Sequence, residues 1–234
     1  MVAPIELYYW PTPNGHKISI ALCEMDLPFD LRLVNIGAGE QFDPDFLRIA
    51  PNNRMPAIVD PEGPDGQPIA IFESGAILQY LGRKTGRFYG ESERERVEID
   101  KWLMWQMGGV GPMAGQAHHF LNYAPAMDPP NDLPYAKERY RREVARLYGV
   151  LDKRLADRDY VAGPYSIADM AIWPWARGWE KQRQDLGAFP NMSAWLARVG
   201  ARPAVQAGVA LAAEKRADLT TDRAAQRVLF GARG

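Results

Sequence analysis

Thr12 and Asn14 stand in the turn Pro11-Thr12-Pro13-Asn14-Gly15, directly after the aromatic and β-branched run at residues 5–10. A hydroxyl and a side-chain amide can both donate to a thiolate, and backbone N–H groups at a following helix start add to them. Such donors favour the charged sulfur and lower a thiol pKa. Pro11 and Pro13 fix the backbone of the turn. The same residues also make a plain turn. Cys23 is the one cysteine of the chain. It follows Ile20, Ala21 and Leu22, where a small buried hydrophobe is expected. One cysteine excludes a CxxC pair and an internal dithiol cycle. Glu73-Ser74 falls where a strand-sized run meets a helix. Free N–H groups and the positive helix end there suit a carboxylate, with Ser74 as an extra donor and Glu73 available to an ammonium group. An ordinary helix cap uses the same pair. Arg54 and Asn53 can hold a further carboxylate, or form a solvated loop.

Other groups carry less chemistry. His118-His119 are adjacent, so a helix points them in different directions. With three histidines in all and no HExxH spacing, no metal site is expected, and hydrogen bonding inside the helical half is. Gly108-Gly109-Val110-Gly111-Pro112 follows a helix and not a strand, so it is no dinucleotide cradle and is expected to bend or interrupt that helix. Trp173, Trp175 and Trp179 read as core packing, with one or two available to line an apolar pocket.

The elements that must position these residues differ between two halves. Ile18, Ile20, Ala21, Leu22 and Met25 recur at helical spacing, and residues 29–36 alternate as a half-buried strand does. Phe42, Phe46, Leu47 and Ile49 predict a short helix ending before Pro51. Residues 57–59 and 69–72 are strand-sized, and residues 74–84 predict a helix with Gly86 at its end. The order is β-α-β-α-β-β-α. Beyond Ser92 lie six of the seven tryptophans and no convincing strand. Tyr140, Val144, Leu147, Leu151 and Leu155 form an amphipathic stripe. Ser166-Ile167-Ala168-Asp169 is a capping box flanked by Tyr165 and Met170. This divides the chain into domains at residues 1–86 and 92–234. The Ala/Arg/Asp-rich tail from about residue 214 is open between helix, frayed end and partner-dependent segment.

Composition bounds the function class. Lys+Arg number 28 against 29 Asp+Glu, a net charge of −1, which leaves no basic footprint for nucleic acid. With 47% hydrophobic and 24% charged residues the chain is ordinary globular protein. The apolar run at residues 205–213 is too short to span a bilayer. Pro4 and Glu6 stand where a signal peptide would need a basic flank and an apolar core. A soluble, cytoplasmic protein without membrane or nucleic-acid partners is expected.

Four segments carry a family resemblance. They are Pro11-Thr12-Pro13-Asn14-Gly15-His16-Lys17, Pro51-Asn52-Asn53-Arg54-Met55-Pro56-Ala57, Phe72-Glu73-Ser74-Gly75-Ala76-Ile77 and the capping box at Ser166. Together they resemble the glutathione transferase superfamily over roughly residues 5–212. The Thr-Pro-Asn-Gly-His-Lys turn, with Trp105-Gln106-Met107-Gly108-Gly109 and Gly115-Gln116-Ala117-His118-His119, is similar to the bacterial nu class. The resemblance implies an α/β thioredoxin-like N-terminal domain plus an all-α C-terminal domain, assembled as a homodimer. It implies a cis Met55–Pro56 bond, with the Met55 backbone pairing the cysteinyl amides of glutathione as an added strand would. It further implies that Ser74 and Glu73 take the γ-glutamyl end, that Asn53 and Arg54 take the glycyl carboxylate, and that Gln41 adds an amide contact. Arg139 matches a second-glutathione contact in that class, though its spacing equally fits a solvated helix charge.

The activity implied is reduction of disulfides by two bound glutathione thiols, or binding of one oxidised glutathione, with Thr12 and Asn14 activating the thiolate and no metal. Two alternatives stay open. One is conjugation of glutathione to electrophiles, or reduction of organic peroxides, by the same thiolate. The other is a non-enzymatic glutathione-binding or regulatory protein.

Overall fold

A computed structural model describes residues 3–216 and 218–231. It divides by packing into two compact units, one ending at Thr85 and joined by the segment from Pro203 onward, the other running from Gly86 to Arg202.

The first unit follows the order β1 (Ile5–Tyr9), α1 (Pro13–Glu24), β2 (Phe29–Leu33), α2 (Pro44–Ile49), β3 (Ala57–Asp60), β4 (Ile69–Phe72) and α3 (Ser74–Thr85). These seven elements are the ones the residue patterns predict. The sheet order is β2-β1-β3-β4, with β1 and β2 parallel and the β1–β3 and β3–β4 pairs antiparallel. Alternation places Ile5, Leu7 and Tyr9 in the core. Strand β2 is shorter than the alternation at residues 29–36 implies, and Leu33 is left exposed on this edge strand.

Helix α1 starts at a Thr12 N-cap with Pro13 at its first position, the arrangement expected of residues that satisfy or lack the orphan N–H groups. It is buried from Gly15 through Leu22 because a further helix, α9 (Pro203–Ala210), also packs on it. Ser19 Oγ donates to Gly208 O at 2.7 Å, and Tyr9 Oη donates to Leu211 O at 3.1 Å. The last described helix, α10 (Arg223–Phe230), lies against the Gly37–Gly39 turn, where a Cβ at Gly37 would meet Ala225 Cβ at 3.1 Å. The tail therefore orders as a capped helix over residues 223–230. By packing, the segment from Pro203 groups with the sheet unit, whereas the residue patterns assign residues 92–234 to one helical domain.

The second unit contains α4 (Glu93–Trp105), α5 (Gly111–His118), α6 (Pro134–Arg154), α7 (Ile167–Ala176) and α8 (Pro190–Gly200), and no strand among its described residues. Gln106–Val110 forms a π-helical turn between α4 and α5, the interruption expected of Gly108-Gly109. Both halves of the capping box are present at the start of α7. Asp169 accepts from Val161 N, Ser166 N and Trp195 Nε1, and Tyr165 and Met170 are buried beside it.

Candidate functional site

Strand register decides which loops meet. Tyr8 pairs with Ala57, Ala57 pairs with Phe72, and Tyr9 lies beside Leu33. The ends of β1, β2 and β4 and the beginning of β3 therefore share one edge of the sheet. Four segments emerge there: Trp10 to Asn14, Val34 to Gln41, Asn53 to Pro56, and Glu73-Ser74. Loops at one sheet end are where open α/β folds build sites.

Two contacts between segments, and the caps of α1 and α3, fix this end of the sheet. Thr12 Oγ1 accepts the Gly15 N–H at 3.2 Å as N-cap, and its own hydrogen points to Met55 Sδ at 3.7 Å. With its oxygen engaged by the helix, the hydroxyl keeps its hydrogen for a group beside Met55. Lys17 Nζ donates to Ser74 Oγ at 3.2 Å, joining α1 to the first residue of α3. Ile77 N donates to Glu73 O at 3.0 Å, so Glu73 caps α3 through its carbonyl while its side chain stays exposed. The Met55–Pro56 peptide is cis. Met55 packs partly buried against Val34, Phe46, Ala50 and Ala57, which anchors the loop that also carries Asn53 and Arg54. Asn53 and Glu73 both hold left-handed backbone, with φ of 48° and 71°. Non-glycine residues held there cluster at functional sites.

Two side chains titrate abnormally in ways that bear on the chemistry. Burial pushes the Lys17 ammonium down to about 7, with Glu73 acting in the opposite sense. Burial, then the charges of Glu24 and Asp26, push the Cys23 thiol up. The sole cysteine is half-buried on α1, less enclosed than the residue pattern implies, and its thiolate is disfavoured.

Residues 3–83 match the glutathione S-transferase N-terminal domain, and residues 116–203 match the glutathione S-transferase C-terminal domain. The chain belongs to the glutathione S-transferase family. Among the relatives of this chain is the disulfide-bond oxidoreductase YfcG of Escherichia coli K12. The two are 52% identical over 202 residues, covering 86% of this chain and 92% of YfcG. A glutathione transferase family member from Pseudomonas fluorescens, solved with two glutathione bound, is 44% identical with a TM-score of 0.82, covering 88% of this chain and 92% of its own. A glutathione transferase from Pseudomonas putida, solved with one glutathione disulfide bound per subunit, is 42% identical with a TM-score of 0.84, covering 89% and 92%.

The glutathione transferase fold thus brings Thr12, Asn14, Asn53, Arg54, Met55, Glu73 and Ser74 to one end of the sheet. Gln41 reaches the same end but is 2% exposed. Its Nε2 donates to Ile36 O at 3.2 Å, and its Oε1 has no protein partner among the described residues. Arg139 belongs to the second unit, exposed on α6 near Glu143, whose carboxyl lies below its usual range because of Arg146 first and Arg139 last. His118 is buried and its Nε2 lies 3.2 Å from Gln182 Nε2, the internal hydrogen bonding expected of it. Lys17 is the member that residue patterns missed. The residues around it carry no signal of this, because His16, Ser19 and Glu24 make the helix look partly solvated and only its packing buries it.

Proposed function

We propose that this protein is a glutathione-dependent disulfide-bond oxidoreductase in which both reacting thiols belong to glutathione. The observation that carries this reading is the content of the sheet end: thiolate donors at Thr12 and Asn14, charged partners at Glu73 and Arg54 and polar ones at Ser74 and Asn53, but no cysteine. YfcG is named for the same reaction, and similar structures hold two glutathione molecules or their disulfide. Thr12, through its hydroxyl hydrogen beside Met55, and Asn14 stabilise the first glutathione thiolate. That thiolate attacks one sulfur of the substrate disulfide, and the other sulfur leaves as a thiolate that takes up a proton. A second glutathione thiolate attacks the mixed disulfide, forming oxidised glutathione and releasing the second substrate thiol. Met55 pairs the cysteinyl amides, Ser74 and Glu73 hold the γ-glutamyl end, Asn53, Arg54 and Gln41 the glycyl end, and Arg139 the second molecule. No metal takes part. Conjugation of electrophiles shares the thiolate activation; the naming of YfcG and the structures that hold two glutathione molecules or their disulfide favour disulfide reduction as the main activity.

The enzyme acts as a homodimer in the cytoplasm. Val97 and Met104, 50% and 49% exposed and on one face of α4, are apolar surface of the kind a second subunit covers. A reaction that consumes reduced glutathione suits a reducing compartment.

The test is glutathione-driven reduction of hydroxyethyl disulfide. Asn14→Ala and Thr12→Val should each lower kcat by about tenfold or more, the usual cost of losing a donor to a developing charge. Cys23→Ala should stay within about twofold, as expected of a side chain outside the machinery. Loss of activity in Cys23→Ala with Asn14→Ala normal would sink the mechanism. Turnover of aryl halides with none of disulfides would make the protein a conjugating transferase.

A further inference from the structure

Lys17 is 1% exposed and sits in the second turn of α1. A buried ammonium group is costly unless it is paired and hydrogen-bonded. Its Nζ donates to Ser74 Oγ at 3.2 Å, and the charge that acts on it is that of Glu73, one residue earlier. Ser74 is the first residue of α3, where the helix end is already positive. A serine oxygen that accepts from a lysine is held in place by it and still has a hydrogen to donate. The lysine thus fixes the serine oxygen and brings positive charge to the start of α3.

We infer that Lys17 is a positioning residue for the α-carboxylate of the γ-glutamyl group, orienting the Ser74 hydroxyl toward it and supplying the countercharge from within the core. This deepens the glutathione reading above and rests on it. In the free protein Lys17 titrates near 7 because burial disfavours its charge. A ligand carboxylate at Ser74 brings a second negative charge close to it and restores the charged form, so binding above neutral pH draws a proton into the site. Among the described residues, the neighbouring titratable groups of the packed elements bond or lie elsewhere, Tyr80 on α3 donating to Asp60 at 2.6 Å. His16, its neighbour on α1, has Nδ1 3.0 Å from Tyr9 Oη. Helix α9 carries no titratable side chain from Pro203 to Ala210. On α3, Lys84 lies at the far end, paired with Asp60 at 2.7 Å, and Arg83 stands beside it in the last turn.

The test is calorimetry at pH 8 in two buffers of different ionisation enthalpy. The ligands are S-methylglutathione, which has no ionising thiol, and 4-aminobutyryl-S-methylcysteinylglycine, which lacks the α-carboxylate. Wild type should take up a fraction of a proton with the first ligand and none with the second. Lys17→Met should weaken S-methylglutathione by about tenfold or more, the scale of a charge-assisted hydrogen bond, and leave the decarboxylated ligand unchanged. Equal proton uptake with both ligands in the wild type overturns the inference without any variant having to fold. Equal weakening of both ligands by Lys17→Met overturns it too, since that is a general structural effect. A wild type that binds neither ligand removes the glutathione reading together with the inference. Binding with the predicted uptake, but without disulfide reduction, supports the role of Lys17 and sinks only the proposed reaction.

Discussion

Glu73 holds φ at 71°, a conformation in which Cβ crowds the following carbonyl, and it does so on the only residue between β4 and α3. Glycine would take the same backbone without strain, so Glu73→Gly should leave stability unchanged or raise it by up to about 1 kcal/mol. Denaturant midpoints check this, and the same variant should bind glutathione more weakly, since it removes the carboxylate proposed to face the ammonium group. A second prediction belongs to Lys17. Its pKa is lowered from 10.5 to about 7 in the folded chain, so between these values the unfolded chain binds more protons. Stability linked to Lys17 therefore rises with pH from about 7 to about 10.5 and is lost as pH falls toward 7. Lys17→Met should be more stable than wild type near neutrality, by on the order of a few kcal/mol. That advantage should shrink as pH is raised, which thermal unfolding across the range would read. Residue types alone make the turn at Thr12 and the pair Glu73-Ser74 legible, because each is a local motif with its own chemistry. Lys17 is not, since a lysine read without its neighbours in space is a solvated charge.

Helix α1 is where sequence and site meet at the level of an element. Its N-terminal turn closes so tightly that a Cβ on Gly15 would lie 2.2 Å from Trp10 O and 2.9 Å from Tyr9 Cε2. The first neighbour is backbone and cannot move aside. Gly15→Ala should therefore cost roughly 2 kcal/mol or more and displace the turn carrying Thr12 and Asn14. It should lower kcat for disulfide reduction as well as the unfolding midpoint. Gly149, inside α6 with nothing within 4 Å of its Cβ position, supplies the contrast. Gly149→Ala should stabilise by up to about 1 kcal/mol and leave kcat alone. The strands and helices of the first unit were readable because their apolar periods are local and their ends carry proline, glycine or capping residues. The π-helical turn at Gln106–Val110 was readable only as an interruption, since glycine marks a break without stating how the hydrogen bonds shift. The residue alternation runs past the end of β2 because an edge strand ends where its partner β1 ends, at Tyr9 opposite Leu33.

At the scale of the molecule, the sheet unit is completed by chain that lies more than a hundred residues away in sequence. Nothing local in Val205 or Gly208 announces that α9 covers α1; the reason is steric and visible only in three dimensions. A Cβ on Gly208 would lie 2.7 Å from Ile20 N and 2.8 Å from Ile20 Cα, so the two helices meet backbone to backbone. With Ser19 and Tyr9 also hydrogen-bonded to this segment, the first unit has no complete core without it. Helix α10 extends the same logic to the site. Its Ala225 and Gln226 are buried, and Gln226 Nε2 donates to Leu219 O at 2.8 Å, holding the helix to its own approach. Ala225 lies against Gly37, and Val228 Cγ1 would be 3.7 Å from a Cβ on Gly39, so α10 covers the turn that leads into Gln41. Truncation after Arg202 should unfold the first unit, whereas truncation after Arg216 should leave α9 and the fold in place. The shorter truncation uncovers the turn at Gly37–Gly39, and Gln41 loses its support while the contacts of Thr12, Met55 and Ser74 described above remain. Its signature should be faster hydrogen exchange confined to residues 35–42, with glutathione KM raised by about three- to tenfold and kcat within about twofold, since uniform binding and not thiolate activation is lost. A fall in kcat with KM unchanged would instead tie α10 to the reacting sulfur and remove Gln41 from the binding set.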